Sequence, residues 1–383
     1  MNLAQLKKLS YDMVSKCGRC GFCLVHCPTY LVRKKEAYSA RGRNAITRFA
    51  VENKLELSKD AEDAIFTCLG CGACNAACLS GVTAKDVVMQ NREHLVEQGL
   101  YPKVANKLAA MLKEARNISD DDQDERAEWL SLIKEFPAEN FEKEKADVVF
   151  FVGCVASFFP MVQKVPANLA KIMKKAGIDF TILGGDEWCC GFPLVGAGMP
   201  GELEELKKHN VEKVLATGAK QVVFSCPSCY HTWKHLYNIE GVQLMHASQL
   251  IDKFIKDGKI KLKKPVAGVF TYHDPCDLGR NSGVYMEPRN IIKAIPGINF
   301  KELGMNQKFS ECCGGGGNVE MVDPELSAAV AQRKLDSIKK VGADTVVTCC
   351  QQCVRTITTR IKRSGSDLKV KELTELVFES MED

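Results

Sequence analysis

All but one of the nineteen cysteines in this 383-residue chain fall into spaced groups, and two of the groups are twins. Cys17-Gly-Arg-Cys20-Gly-Phe-Cys23-Leu-Val-His-Cys27 and Cys68-Leu-Gly-Cys71-Gly-Ala-Cys74-Asn-Ala-Ala-Cys78 both read C-x2-C-x2-C-x3-C. Three thiolates at i, i+3 and i+6 can wrap one face of an iron–sulfide cube. The fourth, one turn further on, points away and reaches the cube held mainly by the other run. The spacing therefore predicts two cubane [4Fe–4S] clusters. One would sit on Cys17, Cys20, Cys23 and Cys78, the other on Cys68, Cys71, Cys74 and Cys27. Structural zinc favours C-x2-C pairs over quartets with even steps. Leu79 stands where Pro28 follows the first run, a change that affects the turn and not the ligands.

The remaining groups are two sets of five. Cys154, Cys189, Cys190, Cys226 and Cys229 are repeated as Cys276, Cys312, Cys313, Cys350 and Cys353. Cys154 recurs 122 residues on, Cys189 after 123 and Cys226 after 124. Such self-similarity marks two copies of one unit. Five thiols exceed the needs of one cubane or one zinc ion. Adjacent cysteines diverge too far to share a tetrahedral ion, so a cluster with irons at separated corners suits them better; zinc in one block stays open. Gly191 and Gly314 allow close backbone approach after each pair, and the glycine run 314–317 has room for a ligand or cluster. That run is no nucleotide loop, because no Lys-Ser/Thr follows it. Cys349 is a spectator in this reading, since C-x2-C pairs Cys350 with Cys353. His273, His231 and His235 read as packed or hydrogen-bonded histidines, with a proton-donor role for His273 as the alternative.

The elements that must position these thiols follow from periodicity. Apolar residues at helical spacing predict a helix over 3–14, and further helices are expected at 44–53, 84–98 and 102–116, with 60–66 leading into the second cysteine run. An acidic stretch, Asp120-Asp-Asp-Gln-Asp124-Glu, reads as a solvated helix start within an arm over 118–146, with a short helix at 129–136. From Asp147 the texture alternates between short apolar strands and helices, with cysteines at the strand ends. The fold class expected is therefore mixed, α+β and α/β. An N-terminal all-helical dicluster region (1–100) and a helical linker (101–146) precede two tandem α/β units, 147–258 and 264–383, with mainly parallel sheets.

Composition bounds the rest. An apolar fraction of 45% with 26% charged residues is ordinary for a globular chain. No apolar run reaches the length of a membrane span. The N-terminal stretch reads as an amphipathic helix and not as a signal peptide, so the cysteines are expected to stay reduced, in the cytoplasm. A location at a membrane through a partner is left open. The net charge of +4 is offset once thiolate-bound clusters are counted. The basic run from Arg33 to Arg48 is thus expected to balance cluster charge or dock a partner. No aromatic–basic interleaving points to nucleic acid.

Two C-x(34–35)-CCG-x(34–35)-CxxC blocks behind two C-x2-C-x2-C-x3-C runs resemble the heterodisulfide reductase family, and the whole layout is similar to that of its HdrD chain. Tyr272-His-Asp-Pro-Cys276-Asp-Leu-Gly-Arg280, Gly283-Val-Tyr-Met-Glu-Pro-Arg289 and Cys312-Cys-Gly-Gly-Gly-Gly317 carry the likeness. Iron–sulfur subunits of glycolate and lactate oxidases, and HdrD-like subunits of benzoyl-CoA reductase complexes, share it. The resemblance implies a noncubane [4Fe–4S] cluster in each complete block, on the ten cysteines just given, flanking a site where a disulfide is opened to thiols. It implies a flavoprotein partner, HdrA-like or a hydroxyacid dehydrogenase, or a membrane cytochrome b or quinone-reducing subunit. No motif for flavin or NAD is present in the chain. The alternative is an electron conduit within a larger complex with no small substrate of its own. Gln351 and Asp277 depart from the family's usual Pro and His.

Overall fold

The computed structural model describes residues 11–382. The helix expected over 3–14 lies mostly outside them; its end is seen as Tyr11–Ser15. The N-terminal region is helical, as its spacing predicts, with helices Pro28–Arg33, Ala40–Val51, Lys59–Phe66 and Ala84–Glu97 around the two cysteine runs. The second of these starts at Ala40, not at Asn44. The Ser39 hydroxyl caps it by accepting from the Gly42 amide at 2.8 Å. Gly42 sits inside this helix because a Cβ there would strike the Glu36 carbonyl.

Helix Val104–Glu114 follows, then an arm that leads to the two repeated blocks. The arm forms a 3-10 helix, Gln123–Leu132, earlier than the helix expected at 129–136. Asp122, from the acidic run, caps it through the Asp124 amide. Trp129 and Leu130 are buried from this segment, which anchors the arm.

The two repeated blocks each hold a four-stranded, all-parallel sheet. In the first, β1 (Val148–Phe151), β2 (Phe180–Thr181), β3 (Gln221–Phe224) and β4 (Gln243–His246) lie in the order β2-β1-β3-β4. In the second, β5 (Gly268–Tyr272), β6 (Ile298–Phe300), β7 (Thr345–Thr348) and β8 (Lys369–Glu372) repeat it as β6-β5-β7-β8. The registers match: Phe150 faces Val223, as Tyr272 faces Val347. The strands VVFF and TVVT are buried along their length, as parallel strands covered on both faces must be.

The blocks are not independent. Helix Lys164–Lys175 of the first packs on Leu373–Ser380 of the second, and Ala247–Lys256 on Met286–Ala294, a reciprocal exchange between corresponding helices. One apolar core runs through both, from Val149, Phe151 and Trp233 to Tyr272, Ile291 and Val377. In each sheet the strand order reverses between the two central strands, β1 and β3 or β5 and β7. Cys154 and Cys226 follow the carboxyl ends of β1 and β3, and Cys276 and Cys350 those of β5 and β7.

The helical region is bolted to the blocks by buried arginines. Arg92 donates to the carbonyls of Ile65, Phe66, Cys68, Gly196 and Gly317, so one side chain ties the second cysteine run to both blocks. Arg280 donates to the Cys71 carbonyl at 2.7 Å and to the Ser310 carbonyl at 2.6 Å. Arg33 pairs with Asp323 across the same junction.

Candidate metal centres

The two runs converge in the helical region. Cys17, Cys23, Cys74 and Cys78 pack around Ala40, Val82 and Ala84. Cys20 is exposed. Cys27, Cys68, Cys71 and Cys74 line one cavity together with Arg43 and Ala84. Burial pushes the Cys74 thiol well up, and the neighbours whose charge it feels are Cys71, Cys68, Cys27 and Cys23. Cys27 thus shares a cavity with three cysteines of the second run. Arg43, from the basic stretch, is buried beside it. Its guanidinium lies 4.0 Å from Cys27 Sγ and donates to Thr29 at 3.0 Å and to the Ala64 carbonyl at 2.6 Å. A buried cation against a thiolate group is what cluster charge requires.

In the first block the five thiols form a chain of neighbours, and in the second four of them do, in the same order. In the first, Cys154 touches Cys189, Cys189 touches Cys190, and Cys190 touches Cys229, which touches Cys226. In the second, Cys312 touches Cys313, Cys313 lies 3.3 Å from Cys353, and Cys353 touches Cys350. Cys276 lies near enough to Cys312 and Cys71 to feel their charge. Hydrogen bonds accepted from Cys189 and Cys229 pull the Cys190 thiol down to about 6, and Cys312 and Cys353 pull Cys313 down likewise. Backbone amides support the sulfurs: Gly191 to Cys189 and Gly314 to Cys312 at 3.4 Å, Gly315 to Cys313 at 3.5 Å, Cys353 to Cys350 at 3.4 Å. Gly153 is needed in the first block, since its φ is +82° and a Cβ would press on Cys229 Sγ at 3.0 Å. Clustered, amide-supported sulfur is the donor set of iron–sulfur clusters, and the residues present fit them.

Cys349 stands apart. Its sulfur accepts from the Tyr272 hydroxyl at 3.5 Å, and its place in the first block is taken by Ser225, which bonds the Val152 carbonyl. The glycine run 314–317 makes room, but for backbone. A Cβ on Gly316 would lie 2.7 Å from the Leu69 carbonyl, and one on Gly317 would collide with the Cys68 carbonyl. The space expected for a ligand is filled by the second cysteine run. As a result Cys71 reaches Cys312, thiol to thiol. A cavity of about 60 Å³ lies beside this junction, walled by Lys85 and Met89, by Phe192 and His231, and by Cys276 and Asp277.

Some functional residues are not legible in the sequence. Arg126, hidden in a charged stretch, is buried with its guanidinium 3.4 Å from Cys154 Sγ and 2.8 Å from Glu187. Glu187 in turn accepts the Val152 and Gly153 amides at 2.7 Å. The spacing Glu187-Trp-Cys189 is the available signal for Glu187; Arg126 has none. Lys334, on helix Pro324–Lys339, is buried beside Cys313 and Cys353, and burial pulls its ammonium down to about 8. Asp277 accepts from Ser228 and from Asn281 at 2.7 Å. Burial pushes its carboxyl up, but His231, Lys85 and these hydrogen bonds hold it below its ordinary range. His235 bonds the Asn281 carbonyl, as expected for a satisfied histidine. His273 does not follow that expectation: neither ring nitrogen has a hydrogen-bond partner among the described residues.

A 4Fe-4S dicluster domain model matches residues 13–82, and a cysteine-rich (CCG) domain model matches 148–234 and again 270–358. The HdrD chain of the dihydromethanophenazine:CoB–CoM heterodisulfide reductase of Methanosarcina barkeri is 31% identical, over 99% of this chain and 96% of its own length. The chain belongs to the HdrD family. Other similar proteins are a subunit of the fumarate reductase (CoM/CoB) of Methanothermobacter marburgensis (27% identical, over 98% of this chain and 74% of that one) and a probable glycolate oxidase iron–sulfur subunit of Bacillus subtilis (26%, over 95% and 93%). This member of the family is an iron–sulfur electron-transfer protein of HdrD type. None of its helices, among the described residues, is long and apolar enough to cross a membrane.

Proposed function

We propose that this chain carries electrons between a partner and a disulfide/thiol couple, through two cubane and two noncubane [4Fe–4S] clusters. The cubanes are assigned to Cys17, Cys20, Cys23 and Cys78, and to Cys68, Cys71, Cys74 and Cys27. The noncubane clusters are assigned to Cys154, Cys189, Cys190, Cys226 and Cys229, and to Cys276, Cys312, Cys313, Cys350 and Cys353. The observation that carries the reading is the approach of Cys71 to Cys312, which joins the front relay to the second block through adjacent sulfurs. When bound, the clusters supply one-electron storage, and the pair in the blocks supplies iron for sulfur capture. The protein's own part is to hold the thiols in order, to neutralise their charge with Arg43, Arg126 and Arg280, and to keep Cys276 at the wall of a small cavity. The partner supplies the other half: a flavoprotein, or a membrane cytochrome b or quinone-reducing subunit, in a cytoplasmic or membrane-docked complex.

A second reading, a conduit without a substrate of its own, draws support from the glycolate-oxidase-type relative. The test is to add a small thiol to the oxidised, cluster-loaded protein and follow the block signals by EPR. Disulfide chemistry expects a perturbed signal that Cys313→Ala abolishes while the cubane signals remain. An unchanged spectrum supports the conduit, and a response that survives Cys313→Ala refutes the site assignment.

A further inference from the structure

We propose that His273 is a nitrogen ligand to the iron held in the second block, a sixth protein donor that the first block lacks. The proposal rests on reading that block as an iron–sulfur site. His273 directly follows β5, and its amide donates to the Val347 carbonyl at 2.9 Å, so the ladder fixes where the residue stands. The side chain is 1% exposed. A ring nitrogen, Cys313 Sγ and Cys353 Sγ all lie within 4.8 Å of one another. Both ring nitrogens lack a hydrogen-bond partner among the described residues. Buried polar groups are almost always satisfied, so an imidazole sealed among thiols and bonded to nothing points to a missing occupant.

The occupant's chemistry follows from the other neighbour. Lys334 Nζ is also buried and without a hydrogen-bond partner among the described residues, and it lies close enough to feel Cys313 and Cys353. Glu311 and Asp274 act on the same ammonium, and a thiolate-bound cluster would add negative charge beside it that a bare cation would not. Imidazole is an accepted ligand in this chemistry, and exchanging thiolate for neutral imidazole raises a cluster's potential. In the first block the residue at the equivalent place, 122 earlier, is Phe151. Its ring packs on Phe224 and Trp233 in the core and offers no donor. The two blocks, alike in their five thiols, therefore differ in this one ligand.

The experiment uses the full chain, labelled with 15N only in histidine and prepared anaerobically, with iron measured first. Pulsed EPR of the second-block signal is expected to show one strong 15N coupling from directly bonded imidazole, absent in His273→Phe. His273→Cys should keep its iron and shift that centre to a more negative potential, with the cubane signals unmoved. Full iron content with no 15N coupling overturns the proposal alone, as does the weak coupling of a hydrogen-bonded ring or a strong coupling retained in His273→Phe. A second block without iron overturns this proposal and the reading beneath it. The coupling in the unsubstituted protein decides the matter even if a variant does not fold.

Discussion

Replacing Arg126 with Met tests whether Cys154 holds a cluster. The guanidinium is 3.4 Å from Cys154 Sγ, in a site where both it and Glu187 are 2% exposed. At an effective dielectric of about 20, a unit charge at that distance is worth about 5 kcal/mol gross. Glu187, 2.8 Å from the same guanidinium, stays in the variant and does not offset the change. An added electron is spread over the whole cluster and not held at Cys154, so roughly a third of that energy, about 1–2 kcal/mol, acts on it, which for a one-electron couple is about 40–90 mV. Arg126→Met should therefore move the first-block potential negative by roughly that amount in an EPR-monitored redox titration. Arg126→Lys should move it less. The single Met variant also leaves a buried carboxylate without its cation, so the clusters should be lost faster on heating, for a cost of up to about 3–5 kcal/mol. Arg126→Met with Glu187→Gln should recover part of the thermal behaviour, because no buried charge is left unpaired, although the single amide oxygen can accept from only one of the Val152 and Gly153 amides that Glu187 satisfies with separate oxygens. An unchanged potential in Arg126→Met, with the first-block iron retained, would refute the charge argument and the place of Cys154 in the site.

Gly317→Ala forces a Cβ onto the Cys68 carbonyl at a φ of +62°. It should cost about 1–3 kcal/mol and slow electron passage from cubanes to blocks, read by stopped-flow absorbance, while iron content stays full. Glu372 caps helix Leu373–Ser380 from a buried site, and burial raises its carboxyl from 4.5 to about 8. The folded chain then keeps a proton that the unfolded chain releases, so stability falls as pH rises from about 4.5 through about 8. In urea unfolding across that window Glu372→Gln should flatten the slope; a slope identical to the parent's would show that the group is already ionised.

The parts legible in the sequence are those written in local spacing. The cysteine quartets, the offset of Cys154 to Cys276 and the strands VVFF and TVVT all depend on neighbours a few residues away or on a simple repeat, and the parallel sheets follow from the alternation of strands with helices. The illegible parts depend on distant surfaces. Nothing near the glycine run 314–317 says that Cys68 and Leu69 will occupy it. Arg126 and Arg92 look like ordinary surface cations until three regions close over them. The start of helix Ala40–Val51 is obscured by its own arginines, which mask the Ser39 cap. His273 reads as a satisfied histidine because most buried ones are; only its three-dimensional surroundings show an imidazole among thiols with no hydrogen-bond partner among the described residues.

The central claim is that the thiols hold iron in four places. Iron, zinc and acid-labile sulfide should be counted per chain in anaerobically purified protein. The account predicts about sixteen irons, matched by sulfide, with no stoichiometric zinc. About eight irons, or about twelve with one zinc, would contradict it by leaving at least one of the repeated blocks without its cluster.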